Sequence, residues 1–300
     1  MNKRILVTGA NGTIGLHLLR ELKQTPWHVR ALVRSTENSR LVSSMGAEAV
    51  RGDFSDLPSL FEAMAGIDTL VLITSATPQA AQQAAQQASA VLHAALESGV
   101  RKVVRISAIK ADATGPTANT VLHAATEDEL VRSGMEYVIL RPNLFMQNMF
   151  LATQTIAEHS SFFFGMGDAR MGMVDTRDVA ECAVECVLSD HFNGDIFEVT
   201  GAKSLSYFDV ASALSEELKR TITYVPVMPQ DVYDGIVGAG WDEWIVGISR
   251  DYAQAYRSGW GDFTTDAVST ICGRPPRSIK TFIRQVFCAK AALSVSIGPP

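Results

Sequence analysis

Three glycines stand at three-residue spacing near the start of the chain, Gly9, Gly12 and Gly15. Residues 5–7 before them are apolar and partly β-branched, and leucines recur at helical spacing over residues 16–22, which predicts strand, tight turn and helix. Glycine lets such a turn take unusual dihedrals and lets a phosphate approach its backbone, while the amides opening the helix favour an anion. We therefore expect the pyrophosphate of a dinucleotide to bind at Gly9, Asn11, Gly12, Thr13, Ile14 and Gly15. The alternative is a turn that binds no nucleotide.

Arg34 ends the second predicted strand, residues 28–34. At that position an acidic side chain binds the ribose diol of NAD(H), whereas an arginine accommodates the 2′-phosphate of NADP(H). Ser35, Thr36 and Arg40 offer further hydrogen-bond donors nearby. The sequence therefore predicts NADP(H) in preference to NAD(H), and the alternative is that Arg34 is an exposed surface arginine.

Apolar, strand-like runs alternate with helical patterns through the first half of the chain. After the first strand the runs cover residues 28–34, 47–54, 68–76, 101–108 and 137–142, and one further run covers 195–201. A helix is expected between the fifth and sixth strands, over residues 122–133. Further along the chain we expect helices over residues 206–218, 229–246 and 277–292 and a short strand over residues 222–225. Such alternation predicts an α/β fold with a doubly wound parallel Rossmann sheet. We expect a NAD(P)-binding Rossmann domain over residues 1–150, its sheet completed by residues 172–201, and a smaller, mixed substrate-binding region over residues 151–300.

Open parallel sheets bind their ligands at the carboxyl ends of the strands. We therefore expect the dinucleotide to lie along residues that end or follow the predicted strands, namely Thr74, Ser75, Ala76, Ser107, Pro142 and Phe145. Lys110, just beyond the fifth strand, is placed near the substrate on the same ground. An exposed loop lysine is the alternative for Lys110.

The composition excludes several classes of protein. The chain is 47% hydrophobic with a formal net charge of −6 and no long basic run, so we expect no nucleic-acid partner. A signal-peptide core and an apolar run of about eighteen residues are both missing, so we expect a cytoplasmic protein with no membrane partner. Cys182 and Cys186 are four residues apart without a histidine cluster, which indicates buried thiols and no metal. The alanine-rich helix over residues 78–97 is expected to pack on the sheet, with a homodimer contact as the alternative.

The residues of the glycine turn, Thr-Gly-Ala-Asn-Gly-Thr-Ile-Gly, resemble the short-chain dehydrogenase/reductase superfamily. Residues 127–134, 139–148 and 174–180, with Gly-Arg-Pro-Pro at 273–276, resemble its NmrA-like atypical branch. That branch is similar to NADPH-dependent quinone and triphenylmethane-dye reductases on one side and to dinucleotide-sensing regulators on the other. The resemblance implies that Asp53 and Phe54 contact the adenine, and a helix cap is the alternative for Asp53.

The chain differs from the superfamily at the catalytic positions. The superfamily uses a tyrosine whose phenol is made more acidic by a lysine four residues later. Here those positions of the helix fall on Asn119 and His123, and a quinone reductase of the branch is similar in having histidine there. The resemblance therefore implies that His123 donates a proton or binds the nicotinamide ribose. A histidine that bonds only backbone or solvent is the alternative.

Phenylalanine and methionine are crowded over residues 145–173. Aromatic faces stack on flat ligands and methionine adapts to irregular ones, so we expect an acceptor pocket that includes Met146, Asn148 and Phe164, with ordinary core as the alternative. The function that the sequence indicates is an NADPH-dependent oxidoreductase transferring hydride to a flat apolar acceptor such as a quinone or aromatic dye. The alternative is a non-catalytic NADP(H)-binding redox sensor, and a sugar-nucleotide epimerase is disfavoured because the tyrosine is absent.

Overall fold

The computed structural model describes residues 3–74, 83–238, 240 and 242–289. The chain divides into two compact units. The first contains the residues up to Pro142 together with Thr176–Glu198, and the second contains Asn143–Asp175 and the residues from Val199 onward. The chain therefore passes from one unit to the other three times. Residues 172–201 were expected to complete the sheet of the first domain, and the segment that belongs to the first unit is Thr176–Glu198.

The strands of the described residues are, in chain order, β1 (Arg4–Val7), β2 (His28–Val33), β3 (Glu48–Arg51), β4 (Thr69–Ile73), β5 (Lys102–Ile106), β6 (Glu136–Pro142), β7 (Ser161–Phe164), β8 (Ile196–Val199) and β9 (Thr223–Pro226). The α-helices of the same residues are α1 (Thr13–Leu22), α2 (Thr36–Ser44), α3 (Leu57–Met64), α4 (Gln83–Glu97), α5 (Ala118–Arg132), α6 (Thr153–His159), α7 (Thr176–Leu188), α8 (Tyr207–Leu218), α9 (Pro229–Gly238), α10 (Glu243–Arg257), α11 (Ala267–Cys272) and α12 (Ile279–Phe282). A 3₁₀ segment covers Met146–Ala152, and a π-helical turn covers Ile283–Phe287.

Seven strands form one sheet in the order β3-β2-β1-β4-β5-β6-β8, and the pairings from β3 across to β6 are all parallel. The order reverses between β1 and β4, which is the crevice where doubly wound sheets bind ligands. Helices α3, α4 and α5 cover one face through a buried core that includes Leu70, Val103 and Leu130. On the other face α7 packs against α1 and against β4, β5 and β6. The predicted doubly wound parallel fold is confirmed.

The second unit contains a small parallel sheet, of which the sequence predicts one strand, over residues 222–225, but neither β7 nor the pairing. Strand β7 pairs with β9 so that Phe162 faces Tyr224 in register, and the rings of both lie near Tyr207 of α8. The capping box that Ser206 and Asp209 form starts α8. Since β7 lies in a stretch without clear periodicity, only its pairing with β9 defines it as a strand.

Two helix predictions in the second unit were wrong in extent. The helix expected over residues 229–246 is two helices, α9 and α10, because Gly240 takes a positive φ of 87° that ends a right-handed helix. The helix expected over residues 277–292 begins at Ile279 after the cap of Ser278, whose hydroxyl accepts from the Thr281 amide. Its last predicted residues lie outside the described residues.

Candidate functional site

The glycine turn joins β1 to α1 with backbone contacts that exclude a side chain. Gly9 has a φ of +59°, in the left-handed region, and a Cβ there would lie 3.0 Å from Ile73. At Gly15 a Cβ would lie 2.6 Å from Cα and 2.7 Å from the carbonyl carbon of Ala10. The helix therefore approaches the turn closely, as a dinucleotide-binding turn requires.

The N-terminus of α1 is open to solvent. Gly12 is the N-cap residue and no side chain caps the helix, while the Gly12 amide donates to the Gly9 carbonyl at 3.0 Å. Asn11, Gly12 and Thr13 are exposed, whereas Ile14 is buried and anchors the first turn of the helix. The first amides of α1 and the positive end of its dipole thus face outward, and these residues fit a pyrophosphate.

Arg34 and Asp53 lie at the carboxyl ends of the neighbouring strands β2 and β3. The Asp53 carboxylate accepts from the Ser55 hydroxyl at 2.6 Å and from the Ser55 amide at 2.9 Å. These bonds lower the pKa of Asp53, and the charge of Arg34 lowers it further. Asp53 does not cap α3, whose N-cap position is Asp56. Arg34 is exposed and Phe54 is half-buried, so both side chains are within reach of a ligand at this edge.

The end of β4 is fixed to the end of β1 across the crevice. The Thr8 hydroxyl donates to the Ile73 carbonyl at 2.9 Å and accepts from the Ile73 amide at 2.9 Å. Thr74 follows at once, and its hydroxyl accepts from both terminal nitrogens of Arg105, at 3.2 and 3.3 Å. Two predicted cofactor residues, Ser75 and Ala76, lie outside the described residues.

A buried polar network lies between β5 and α5. Arg105 lies on β5 and Ser107 directly follows the strand, two residues later, so both side chains point to the same side. His123 and Glu127 are four residues apart on α5, so they share a face of the helix. Arg105 Nη2 lies 3.1 Å from His123 Nδ1, and the Ser107 hydroxyl donates to Glu127 in a short hydrogen bond. Thr117 caps α5 by accepting from the Thr120 amide, so the helix begins at Ala118, earlier than the predicted residue 122.

His123 has a perturbed acidity. Burial, and then the charge of Arg105, hold the pKa of His123 well below its ordinary value of 6.5. The guanidinium itself keeps its charge, because burial lowers the pKa of Arg105 only to about 10. At neutral pH His123 is therefore an uncharged imidazole, which can donate a hydrogen bond but is a poor source of a proton.

The network continues to the edge of the first unit. The Glu127 carboxylate accepts from Arg141 Nε at 3.1 Å and from Arg141 Nη2 as well, while Arg141 Nη1 lies 3.4 Å from Glu198. Both Glu198 oxygens accept from the Lys110 amide at 3.1 Å. Lys110 has a φ of 45°, a left-handed conformation that costs energy for a residue with a side chain. The hydrogen bonds from its amide to Glu198 hold the loop after β5 in this conformation.

Four predicted site residues belong to the second unit. Met146 is almost fully buried, and its amide donates to the Val174 carbonyl at 2.9 Å. Phe164 is partly exposed and stacks on Tyr207 with ring centroids 4.6 Å apart. Phe145 and Asn148 are also partly exposed. Met146 and Phe164 therefore both contribute to packing within this unit.

Pro142 ends β6 in the first unit, where its carbonyl accepts from the Ile109 amide at 3.1 Å. That bond holds the loop after β5 against the end of β6. Sequence reasoning missed four members of the polar network, namely Arg105, Glu127, Arg141 and Glu198. The available signal was Arg105, a charged residue in a strand that is apolar on both sides of it.

Comparison with known proteins assigns the chain to a family. A family model described as NAD(P)H-binding matches residues 9–190, more than half of the chain. The chain belongs to the NAD(P)H-binding family. The matched residues include the glycine turn from Gly9 onward and the whole polar network except Glu198.

Relatives of this NAD(P)H-binding protein include named reductases. It is 29% identical to the NAD(P)H azoreductase of Xenophilus azovorans, over 93% of this chain and 96% of the relative. It is 24% identical to quinone oxidoreductase 2 of Escherichia coli, over 94% of this chain and 98% of the relative. Both alignments cover nearly the full length of each protein.

The solved structure of the Escherichia coli NADPH-dependent quinone oxidoreductase complexed with NADPH matches with a TM-score of 0.85 and 24% identity, over 94% and 99% of the two chains. The Citrobacter sp. triphenylmethane reductase complexed with NADP(H) matches with a TM-score of 0.84 and 21% identity, over 94% and 100%. These likenesses support the same fold. In the part of the chain that is described, no helix has the length and apolar character needed to cross a bilayer.

Proposed function

We propose that this NAD(P)H-binding protein is an NADPH-dependent oxidoreductase that reduces flat aromatic acceptors, among them quinones and azo or triarylmethane dyes. The observation that carries the proposal is the glycine turn. Gly15 lies so close to the backbone of Ala10 that no side chain fits there, and the start of α1 has no side-chain cap. Both features fit the pyrophosphate of a dinucleotide. The names of the full-length relatives, an azoreductase and a quinone oxidoreductase, support the acceptor class.

The preference for NADP(H) rests on the charge at the ends of β2 and β3. Arg34 is exposed there, and the Asp53 carboxylate, whose pKa the charge of Arg34 lowers, already accepts two hydrogen bonds from Ser55. An arginine whose guanidinium is still available for a bidentate contact suits a 2′-phosphate better than a ribose diol. Asp53 and Phe54 would then lie beside the adenine.

The chemistry is supplied by the nicotinamide, which gives a hydride to the acceptor. The residues of this chain bind and orient. The amides of α1 and Arg34 would hold the phosphates, and Thr74 and Ser107, which follow β4 and β5, would line the dinucleotide site on the side of His123. Because His123 is neutral, it serves as a hydrogen-bond donor to the nicotinamide ribose or to the acceptor oxygen. A quinone or dye suits this site because its reduced form is a stabilised anion that needs no protein acid.

The test is NADPH oxidation by the purified full-length chain, followed at the nicotinamide absorbance with a panel of quinones, azo dyes, triarylmethane dyes and aldehydes. The blank is Gly12→Asp, which puts a carboxylate at the open N-terminus of α1 and so excludes the pyrophosphate. The matched control is Gly12→Ala, since a Cβ at Gly12 would meet only the Gly9 carbonyl oxygen, at 3.2 Å. We expect turnover with quinones or dyes in the wild type and none in the blank.

A flat response to every acceptor together with tight NADPH binding would contradict the enzyme and favour a sensor that binds NADP(H) without turnover. The lowered pKa of His123, which makes it a poor proton source at neutral pH, supports this second candidate. Binding that is equally tight in wild type and Gly12→Asp would contradict the cofactor site itself. The cytoplasmic location, the homodimer and the pocket at Met146, Asn148 and Phe164 stay predictions.

A further inference from the structure

Arg105 is a permanent cation in the middle of the sheet. It lies on β5 between β4 and β6 and is 1% exposed. Its Nη1 donates to the Leu72 carbonyl at 3.3 Å and to the Thr74 hydroxyl at 3.2 Å, and its Nη2 lies 3.1 Å from His123 Nδ1. Its Nε has no hydrogen-bond partner among the described residues. Moving a guanidinium from water into a protein interior costs desolvation free energy, so a buried arginine suggests a functional role.

The contacts fix which nitrogen of His123 carries the proton. Arginine has donors and no acceptor, so Nδ1 of His123 must offer its lone pair to Arg105. The Ser107 oxygen also lies 3.2 Å from Nδ1, but its single proton goes to Glu127, so Ser107 does not donate to the histidine. Nδ1 is therefore unprotonated, and the proton of the neutral ring is on Nε2. Within the described residues Nε2 has no hydrogen-bond partner.

We propose that Arg105 is a positioning residue, which holds His123 as the neutral Nε2–H tautomer and so makes it a hydrogen-bond donor to the ligand at this edge. The tautomer follows from contacts within the first unit alone, whereas its use in turnover rests on the proposed reductase function. Sequence comparison does not reveal this role, because Arg105 and His123 meet only after β5 and α5 have packed.

The groups around the ring agree with a neutral state. Arg105 of β5 and Ser107, which follows β5, lie within hydrogen-bond distance of Nδ1. The hydroxyl of Thr74, which follows β4, contacts Arg105, and Glu127 of α5 accepts from Ser107. The Glu127 carboxylate is already paired with Arg141 of β6, so it does not offset a second cation beside Arg105. Protonating His123 would place an imidazolium 3.1 Å from a guanidinium in a buried site.

This assignment changes the source of the proton in the proposed reaction. A quinone that accepts a hydride from NADPH becomes the hydroquinone monoanion, with NADP⁺ as the other product, and one proton completes the hydroquinone. With His123 neutral that proton comes from solvent, and the Nε2–H group stabilises the developing negative charge on the oxygen by a hydrogen bond. We therefore expect no contribution from an imidazolium acid to the pH profile of turnover between about pH 5 and 8.

The test is nitrogen-15 NMR of the histidine rings in the full chain, titrated between about pH 5 and 8 with no cofactor or acceptor added. The chain has six histidines, and loss of one signal set in His123→Gln assigns His123. We expect Nδ1 to be pyridine-like and Nε2 pyrrole-like throughout, without titration. In Arg105→Met we expect mixed tautomers and a titration within that range. In Arg105→Lys, which restores a cationic donor, and in Ser107→Ala, which leaves Arg105 in place, we expect the wild-type tautomer.

A His123 ring that titrates within this range in the wild type, or one protonated on Nδ1, would overturn the proposal. If Arg105→Met fails to fold, the wild-type titration and Arg105→Lys still decide the tautomer. If the NMR result is as expected but no acceptor is reduced, the proposed function fails and the assignment of Arg105 stands. If turnover is present and the NMR result is contrary, the enzyme stands and the role of Arg105 fails.

Discussion

A single methyl group at Gly15 tests the close approach of α1 to the turn. Gly15→Ala has two opposing effects on the free energy of unfolding. Alanine is the better helix former by about 1 kcal/mol in a helix interior, and Gly15 lies within α1. Against this, its Cβ would lie 2.6 and 2.7 Å from backbone atoms of Ala10 and closer still to the Gly9 carbonyl oxygen, whereas real Cβ contacts essentially never fall below 3.0 Å.

The clash outweighs the helix propensity because backbone atoms cannot rotate away. Relief requires α1 to move from the turn, and α1 also packs against α7 on its other side. Overpacking of this kind costs about 1–3 kcal/mol, and subtracting the gain in propensity of about 1 kcal/mol leaves a net loss of up to about 2 kcal/mol. The melting temperature would then fall by up to about 8 °C.

The assay is thermal unfolding by circular dichroism without cofactor. The matched control is Gly235→Ala, the same change in α9 at an exposed glycine whose Cβ would meet nothing within 4 Å. The control should gain stability, by up to about 1 kcal/mol, while Gly15→Ala loses it. A Gly15→Ala chain that melts at or above the wild-type temperature would refute the reasoning, because the close approach would then not exist.

Three further results are expected. In calorimetry, Arg34→Glu should weaken NADPH binding by at least about tenfold and leave NADH affinity within about threefold of the wild type. Arg20→Glu, the same charge change at the far end of α1, should alter neither affinity. Equal weakening of NADPH binding in both variants would contradict the assignment of Arg34. The pKa of His123 is lower in the folded chain than in the unfolded chain, so on acidification the unfolded chain binds a proton at His123 first. The free energy of unfolding should therefore fall by up to about 1.4 kcal/mol per pH unit below about pH 6.5, and this fall should be less steep in His123→Gln. Denaturant unfolding should find Lys110→Gly more stable than Lys110→Ala by about 1 kcal/mol, because φ is 45° there, and equal stability would exclude strain.

The sheet could be predicted because its central strands, β1, β4 and β5, are buried on both faces. Strands such as β4, with Leu70, Val71 and Leu72 all fully buried, read as continuous apolar runs, and the glycine turn marks the first strand-to-helix junction. Local patterns of this kind depend on neighbours in the sequence, so they were visible without the structure. The same holds for the start of α8, whose helical pattern begins at Ser206.

The polar network could not be predicted because it depends on how a strand and a helix pack. His123 was found by counting along α5, but Arg105 is eighteen residues away and meets it only in the folded sheet. The resemblance implied that His123 donates a proton or binds the nicotinamide ribose, and the structure adds burial and the guanidinium of Arg105, which lower the pKa of His123. In the second unit, β7 carries no periodic signal of its own and is defined by its pairing with β9.

The three passages of the chain between units have a consequence for biosynthesis. Helix α1 is made from residues 13–22, yet its packing partner α7 begins at Thr176, after the whole segment Asn143–Asp175 has been synthesised. Strand β8, which completes the sheet beside β6, follows later still. The first unit therefore cannot close while its early strands leave the ribosome, and it waits with an uncovered face until Val199 has been added. Long-range closure of this kind slows folding and lengthens exposure of apolar surface, so nascent chains should depend on chaperones more than an uninterrupted domain of equal size.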